Sequence, residues 1–362
     1  MATTKSAKLE LWVYKGTFGN KNPSSPDYTI TKTKLPTQNK ILFEVGELIK
    51  DFITVSFNGD YANVDQTVWV EWTITKTLSD LTEEITTGSG LGLNGYGYFE
   101  DLINPQLSYG VLQSNTIMYV KTGDQPFIPM FAGGNGIFKV DYYNGTTLLN
   151  TLVVGNSVTF LTADTTDYKA DTTSLTADVT MIRNSVSKGT VGVASYTGNP
   201  SRVVLTDINN VATNISVYYI DECKYTPYRV SFLNKFGAVQ PIYFFKRRND
   251  YIDVKNEAYY RNTVDDSKTA LLYSPNDSTK RLFDINGNKR IKMNTGYVDE
   301  QYNEVIQQLL MTDRAWIRDD DGVEYPILPV TKSMQYKTSV NDKLIDFTID
   351  FEYAYNEINL VR

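Results

Sequence analysis

The chain runs to 362 residues, more than one hydrophobic core usually serves, so two or three domains are expected. Its net charge of −7 argues against nucleic acid as the main partner, because phosphate binding needs a basic face. With no histidine and a single cysteine, Cys223, the sequence has no intramolecular disulfide, lacks the usual base of Ser-His-Asp and Cys-His hydrolysis, and lacks the commonest nitrogen ligand of zinc.

Tyrosine is abundant, at 26 residues beside 16 Phe and 4 Trp. Tyr favours strands and offers a large contact area with a polar tip, so the composition reads as sheet plus interface. From the N-terminus, Lys8 to Tyr14 alternates as a strand does, and Met1 to Tyr14 shows no signal-peptide pattern. Pro23 and Pro26 mark a loop, Ile41 to Phe43 is a short apolar run, and Val45 to Ile53 reads as one or two helical turns. Val68, Val70, Trp72 and Ile74 share one face of a strand, with Trp69 on the other, so Trp69 and Trp72 cannot line one carbohydrate shelf. Thr116 to Val120 is a further strand.

Ile137 to Tyr143 alternates into Asn144-Gly145, a hairpin turn signal, and Val203 to Leu205 and Ile215 to Ile220 continue the pattern. Thr162 to Thr180, rich in Thr and Asp, reads as a long exposed loop or weak edge hairpin. Cys223 sits in the strand-like run Ile215 to Tyr225 and is expected to be a buried small hydrophobe. Tyr302, Val305, Ile306, Leu309 and Leu310 follow helical spacing, with Asp299 as N-cap, and Trp316 is expected beside that helix. Asn286-Gly287 and Asp321-Gly322 are turn signals. The last strand sets Phe347, Ile349, Phe351, Tyr353 and Tyr355 on one face. The fold expected is mainly β: two N-terminal β-sandwich-like domains, 1–130 and an immunoglobulin-like 131–226, then a C-terminal α+β domain, 227–362, with one amphipathic helix. No stretch approaches the roughly 20 apolar residues of a membrane helix, so no membrane insertion is expected.

No constellation points to catalysis, a cofactor or a metal, and the chain is expected not to be an enzyme. Asp319, Asp320 and Asp321 form the densest acidic cluster; a solvated turn before Gly322 accounts for them, and a two-carboxylate glycosidase or a calcium site is the competing assignment. Asp284 to Asn288 matches a calcium loop only loosely, with its glycine misplaced. Gly90-Leu91-Gly92-Leu93-Asn94-Gly95 matches the dinucleotide-binding string, but no helix pattern follows it, so an aromatic-tipped loop is expected. Its tip, Tyr96, Tyr98 and Phe99, and the basic run Lys246, Arg247 and Arg248 are the candidate interface residues.

The stretch Glu222 to Arg247, which contains Phe232-Leu233-Asn234-Lys235-Phe236-Gly237-Ala238 before the aromatic run to Phe245, resembles a segment of virion structural proteins of tailed phages and prophages of Bacteroidota. Ile41 to Ile53 and Lys337 to Leu344 resemble further segments of the same group; 145–200 carries no such resemblance. Within the first stretch Val230, Phe232 and Phe236 suit inward packing, and Asn234 and Gly237 suit a tight turn. The resemblance implies a tail or baseplate subunit of the virion, made in the host cytoplasm. Its partners would be its own copies in a cyclic ring, a hexamer among the sizes open, and neighbouring tail or neck proteins, with host-surface contact also open. A neck or collar ring protein and a carbohydrate-binding host-adhesion module are the alternatives.

Overall fold

The computed structural model describes residues 4–16, 18–21, 24–35, 37, 40–64, 66–101, 110–132, 136–154, 190–262, 276, 278–338 and 344–358. The expectations for Thr162 to Thr180 and for Pro23 lie outside these residues. The described chain is mainly β, in three sheets. It divides into two compact units, Met1–Asp221 with Ser231–Ile242, and Glu222–Val230 with Tyr243–Arg362.

In the first unit, β1 (Thr4–Tyr14), β2 (Tyr28–Thr33), β3 (Thr67–Leu78) and β4 (Glu83–Leu93) form an antiparallel sheet in the order β2-β1-β3-β4. The alternation of β1 sends Ala7, Leu9, Leu11 and Val13 inward, and all four are buried. Both faces of β3 are covered at its start, where Val68, Trp69 and Val70 are all buried, so Trp69 is the core tryptophan and Trp72 is half-buried. The run Ile41 to Phe43 forms no strand; Leu42 is exposed, and its carbonyl accepts from Lys32 Nζ. The expected helical turn is α1 (Gly46–Lys50).

The glycine string is strand as far as Leu93, and only Asn94, Gly95 and the aromatic tip after them form the expected loop. Gly88, Gly90 and Gly92 lie in β4, and Gly88 is paired with Trp72 across the sheet. A Cβ on Gly88 would stand 2.3 Å from Cζ2 of Trp72, and one on Gly92 2.7 Å from Cγ2 of Ile49. The missing side chains let bulky neighbours lie flat on β4, an aromatic-over-glycine contact that a nucleotide motif does not need.

The second sheet holds β5 (Ile117–Lys121), β6 (Ile128–Ala132), β7 (Ile137–Asn144), β8 (Thr147–Val153), β9 (Thr190–Ala194), β10 (Arg202–Asp207) and β11 (Ala212–Ile220). Its order is β5-β11-β10-β7-β6-β9, with β8 paired to β7. It thus begins at Ile117, ahead of residue 131. The expected hairpin joins β7 to β8, but its turn is Gly145-Thr146, with Gly145 at φ 58° and Asn144 paired to Thr147. Val120, Ile128, Val140, Val203, Leu205 and Ile215 are fully buried within it.

β12 (Tyr228–Leu233) and β13 (Val239–Phe244) open the third sheet, whose order is β13-β12-β16-β17-β18-β15-β14; the division between units falls inside these two strands. Their connecting turn is built on Asn234. Its Nδ2 donates to Leu112 O at 2.7 Å and to Gln240 Oε1 at 2.9 Å, while its Oδ1 accepts from Phe236 N at 3.0 Å and Ala238 N at 3.2 Å. Gly237 takes φ 76°, and a Cβ there would meet the backbone of Asn94 and Gly95 at 2.9 Å. Val230 and Phe232 are buried as their pattern predicts.

In the second unit, β14 (Asn249–Tyr260), β15 (Lys280–Asn294), β16 (Ala315–Arg318), β17 (Glu324–Pro329) and β18 (Thr348–Tyr353) complete that sheet. The helix α2 (Tyr302–Leu310) buries Tyr302, Val305, Ile306 and Leu309, the stripe its spacing predicts. Its N-cap is Gln301, not Asp299; the Asp299 carboxylate instead accepts from Gln301 N, closing a turn before the helix. Trp316 is buried in β16. Phe347, Ile349, Phe351 and Tyr353 are buried as a face, whereas Tyr355 beyond the strand is exposed. Asp321-Gly322 does turn β16 into β17, but Asn286-Gly287 lies inside β15. There the ladder to β14 shifts register between Lys255 and Glu257, and Asn286 Oδ1 accepts from Gly287 N and Ile358 N. Asn286 and Gly287 are therefore regularly paired strand residues, the pair docking the C-terminal segment, and the bulge falls beside them, where Asp284 at φ 49° and Ile285 stand opposite Asn256. Cys223 is exposed, because β11 ends at Ile220 and the polar stretch after it leaves the sheet.

Candidate functional site

Two features of the second unit stand out by exposure and by clustered polar side chains. The first is the antiparallel ribbon of β14 and β15, whose register runs from Asn249 opposite Lys292 to Tyr260 opposite Lys280. Every residue of β14 from Asp250 to Tyr260 is exposed, and so is β15 from Lys280 to Ile285. Apolar side chains are not spared: Ile252, Val254, Tyr260, Leu282 and Phe283 all stand in the open. Tyr251 and Ile252 are sequence neighbours, hence on opposite faces, and they are 54% and 58% exposed. Tyr259 and Phe283 pack edge to face at 5.8 Å across the ribbon. β14 ends the strand order, so its outer N–H and C=O groups form a sheet edge among the described residues. A two-stranded ribbon with both faces wet is marginal alone.

The second feature is an open cleft of about 690 Å³ at the base of the ribbon, lined by Arg248, Asp250, Tyr251, Ile252, Lys289, Asp319, Asp320, Asp321, Tyr325, Tyr353 and Tyr355. Arg248 organises its floor. Its Nε donates to Asp250 at 2.7 Å, its Nη1 to Asp319 at 2.7 Å and its Nη2 to the Tyr353 hydroxyl at 3.2 Å, and its plane lies 4.7 Å from the Tyr228 ring. Tyr353 in turn donates to Asp319 at 3.0 Å, Tyr228 to Asp320 at 3.2 Å and Tyr325 to Asp321 at 2.7 Å. The turn places these acids: Asp319 O accepts from Gly322 N, and Asp321 Oδ1 accepts from Val323 N.

Charge follows from this wiring. Burial pushes the Asp319 carboxyl up, but hydrogen bonds from Arg248 and from Asp320 N outweigh it, and the group is held below its ordinary value. Burial raises the Tyr353 hydroxyl, and the neighbouring Asp319 adds to that. The cleft therefore presents an ionised Asp319 fixed as a hydrogen-bond acceptor, with protonated tyrosines around it. Among the described residues, no group of three or more Cys, Asp or Glu side chains is placed to hold a metal ion.

The structure distributes the six interface candidates from the sequence. Arg248 lies in the cleft floor. Lys246 donates to Glu222 at 2.7 Å, and Arg247 is exposed. In the first unit, Tyr96 N donates to Lys235 O at 2.9 Å, Lys235 Nζ sits 4.8 Å over the Tyr98 ring, and Phe99 is 98% exposed. Tyr96 and Tyr98 thus pack on the 234–237 turn, and Phe99 alone of the three projects fully. Sequence reasoning found the acidic turn 319–321 but missed the tyrosines that answer it. The available signal was Tyr353 and Tyr355, polar-tipped residues that continue the core-facing alternation to the end of the last strand. No family model matches the sequence, and no curated protein and no solved structure is significantly similar to it.

Proposed function

We propose that this chain is a structural subunit of a phage tail or baseplate that assembles with copies of itself through the β14–β15 ribbon. The observation that carries this reading is the ribbon's exposed apolar surface on both faces, combined with an open strand edge. Exposed side chains of that size in a contiguous element mark interaction sites in soluble proteins. Edge-strand pairing satisfies the outward backbone groups, and the apolar side chains then supply the burial. The segments that resemble phage virion proteins support the same role, the Asn234 turn and β12 being buried scaffold. In this reading the two N-terminal sheets are sandwich-like modules and the ribbon belongs to the C-terminal α+β module.

The test shortens the ribbon. Residues 255–286 are replaced by an Asn-Gly turn joining Val254 to Gly287, which are paired across the ladder. Sedimentation velocity of the intact chain is expected to give a discrete oligomer, and the shortened chain a monomer with unchanged thermal unfolding. An intact chain that stays monomeric when concentrated, or a shortened chain of unchanged oligomeric mass, overturns the proposal.

A further inference from the structure

We propose that the cleft at the base of the ribbon binds a neutral oligosaccharide. Its lining includes Tyr251, 54% exposed, and Tyr355, 41% exposed, aromatic rings of the kind that receive the C–H face of a sugar ring. The polar groups of the lining are already fixed by Arg248, Tyr325 and Tyr353, so a ligand meets acceptors and donors that need no reordering. The volume of about 690 Å³ falls within the ~300–1,000 Å³ typical of small-molecule sites, room for a short oligosaccharide.

The charge pattern disfavours an acidic ligand: the lining carries Asp250, Asp319, Asp320 and Asp321 against Arg248 and Lys289, with Arg248 held by Asp250 and Asp319 and Lys289 by Glu357, so a basic peptide is the competing ligand. Sugar hydroxyls both donate and accept, which matches mixed carboxylate, guanidinium, ammonium and phenol groups within one cleft. Asp319 gives a fixed acceptor, because Arg248 and Tyr353 hold both of its oxygens in place. The site shares Tyr251 with β14, so Tyr355→Ala, which lies outside the ribbon, separates loss of the glycan from loss of the oligomer.

The experiment uses a printed glycan array that spans hexose, N-acetylhexosamine, deoxyhexose and uronic-acid termini, probed with the full chain and with Tyr251→Ala and Tyr355→Ala. Both tyrosines are exposed, so both variants are expected to fold, with unfolding midpoints as the check. The expected result is retention of a neutral glycan, weakened roughly tenfold or more by each substitution and insensitive to high salt. Asp321→Asn, which leaves the cleft's shape in place, is expected to weaken the same glycan. Oligo-arginine serves as the competing probe. No retained glycan, retention unchanged in both tyrosine variants, or salt-sensitive binding of oligo-arginine in place of a glycan overturns the proposal.

Discussion

Replacing Asn234 with Ala removes one side chain that makes four hydrogen bonds in a fully buried position. The substitution strands Ala238 N and Leu112 O, both deprived of a partner, and loosens Phe236 N and Gln240 Oε1. Each buried polar group left without a partner costs roughly 1–3 kcal/mol, so two fully stranded groups give about 4 kcal/mol. For a unit of this size each kcal/mol moves the unfolding midpoint by about 2–4 °C, which predicts a fall of about 8–16 °C. Differential scanning calorimetry of Asn234→Ala reads this directly. Asn209→Ala, at an exposed turn position, is the control and is expected to stay within about 0.5 kcal/mol. An Asn234→Ala protein within about 1 kcal/mol of the parent would show that the turn is not held by this network.

Acid is expected to weaken the second unit through Asp319. Its folded pKa lies below the ordinary value, so its stabilising contribution is present above the usual carboxylate range and is lost as pH falls through the folded value. Asp319→Asn should flatten the acid limb of the unfolding-midpoint profile, and an unaltered limb contradicts the Arg248–Asp319–Tyr353 wiring. Gly237→Ala combines a positive φ with a Cβ driven into the backbone of Asn94 and Gly95, and is expected to destabilise by more than about 1 kcal/mol in urea titration; a neutral result refutes the close approach. Gly88→Val should displace Trp72 and change tryptophan emission, and an unchanged spectrum would count against the Trp72-over-Gly88 contact. Cys223 should react with a thiol reagent in the native protein at the rate of an open thiol; a need for denaturant would contradict its exposure.

Periodicity made most of the framework legible. The alternation of β1, β7 and β18 and the helical stripe of α2 all express burial of one face, which a single sequence displays without knowledge of partners. Failures came where a local signal had two physical meanings. Asn286-Gly287 has the composition of a hairpin turn, yet it pairs with Lys255 and Val254 inside a long strand and docks Ile358, which only the register reveals. The glycines of β4 read as part of an aromatic-tipped loop, whereas Gly88 and Gly90 face Trp72 and Gly92 faces Ile49 and Val68, visible only once the register is known. Cys223 followed an apolar run by three residues, and where β11 stops is set by pairing with β5 and β10, not by composition.

The candidate sites divide along the same line. The acidic turn 319–321 stood out by charge density alone. Tyr325 lies four residues beyond Asp321 in the same hairpin, but Arg248, Tyr228 and Tyr353 come from separate stretches of sequence and meet the turn only through the strand order of the third sheet. The ribbon was harder still, because Asn249 to Tyr260 reads as an ordinary strand. What sets it apart is the absence of a covering layer among the described residues, a tertiary property that no single stretch encodes.

Hydrogen exchange along β14 tests the assembly role most directly. In the isolated chain the outward amides of Asn249–Tyr260 should exchange fast, as a free sheet edge does, and in the oligomer they should become protected while β16 and β17 stay unchanged. Equal exchange of β14 in both states would mean that copies of the chain do not meet at this edge.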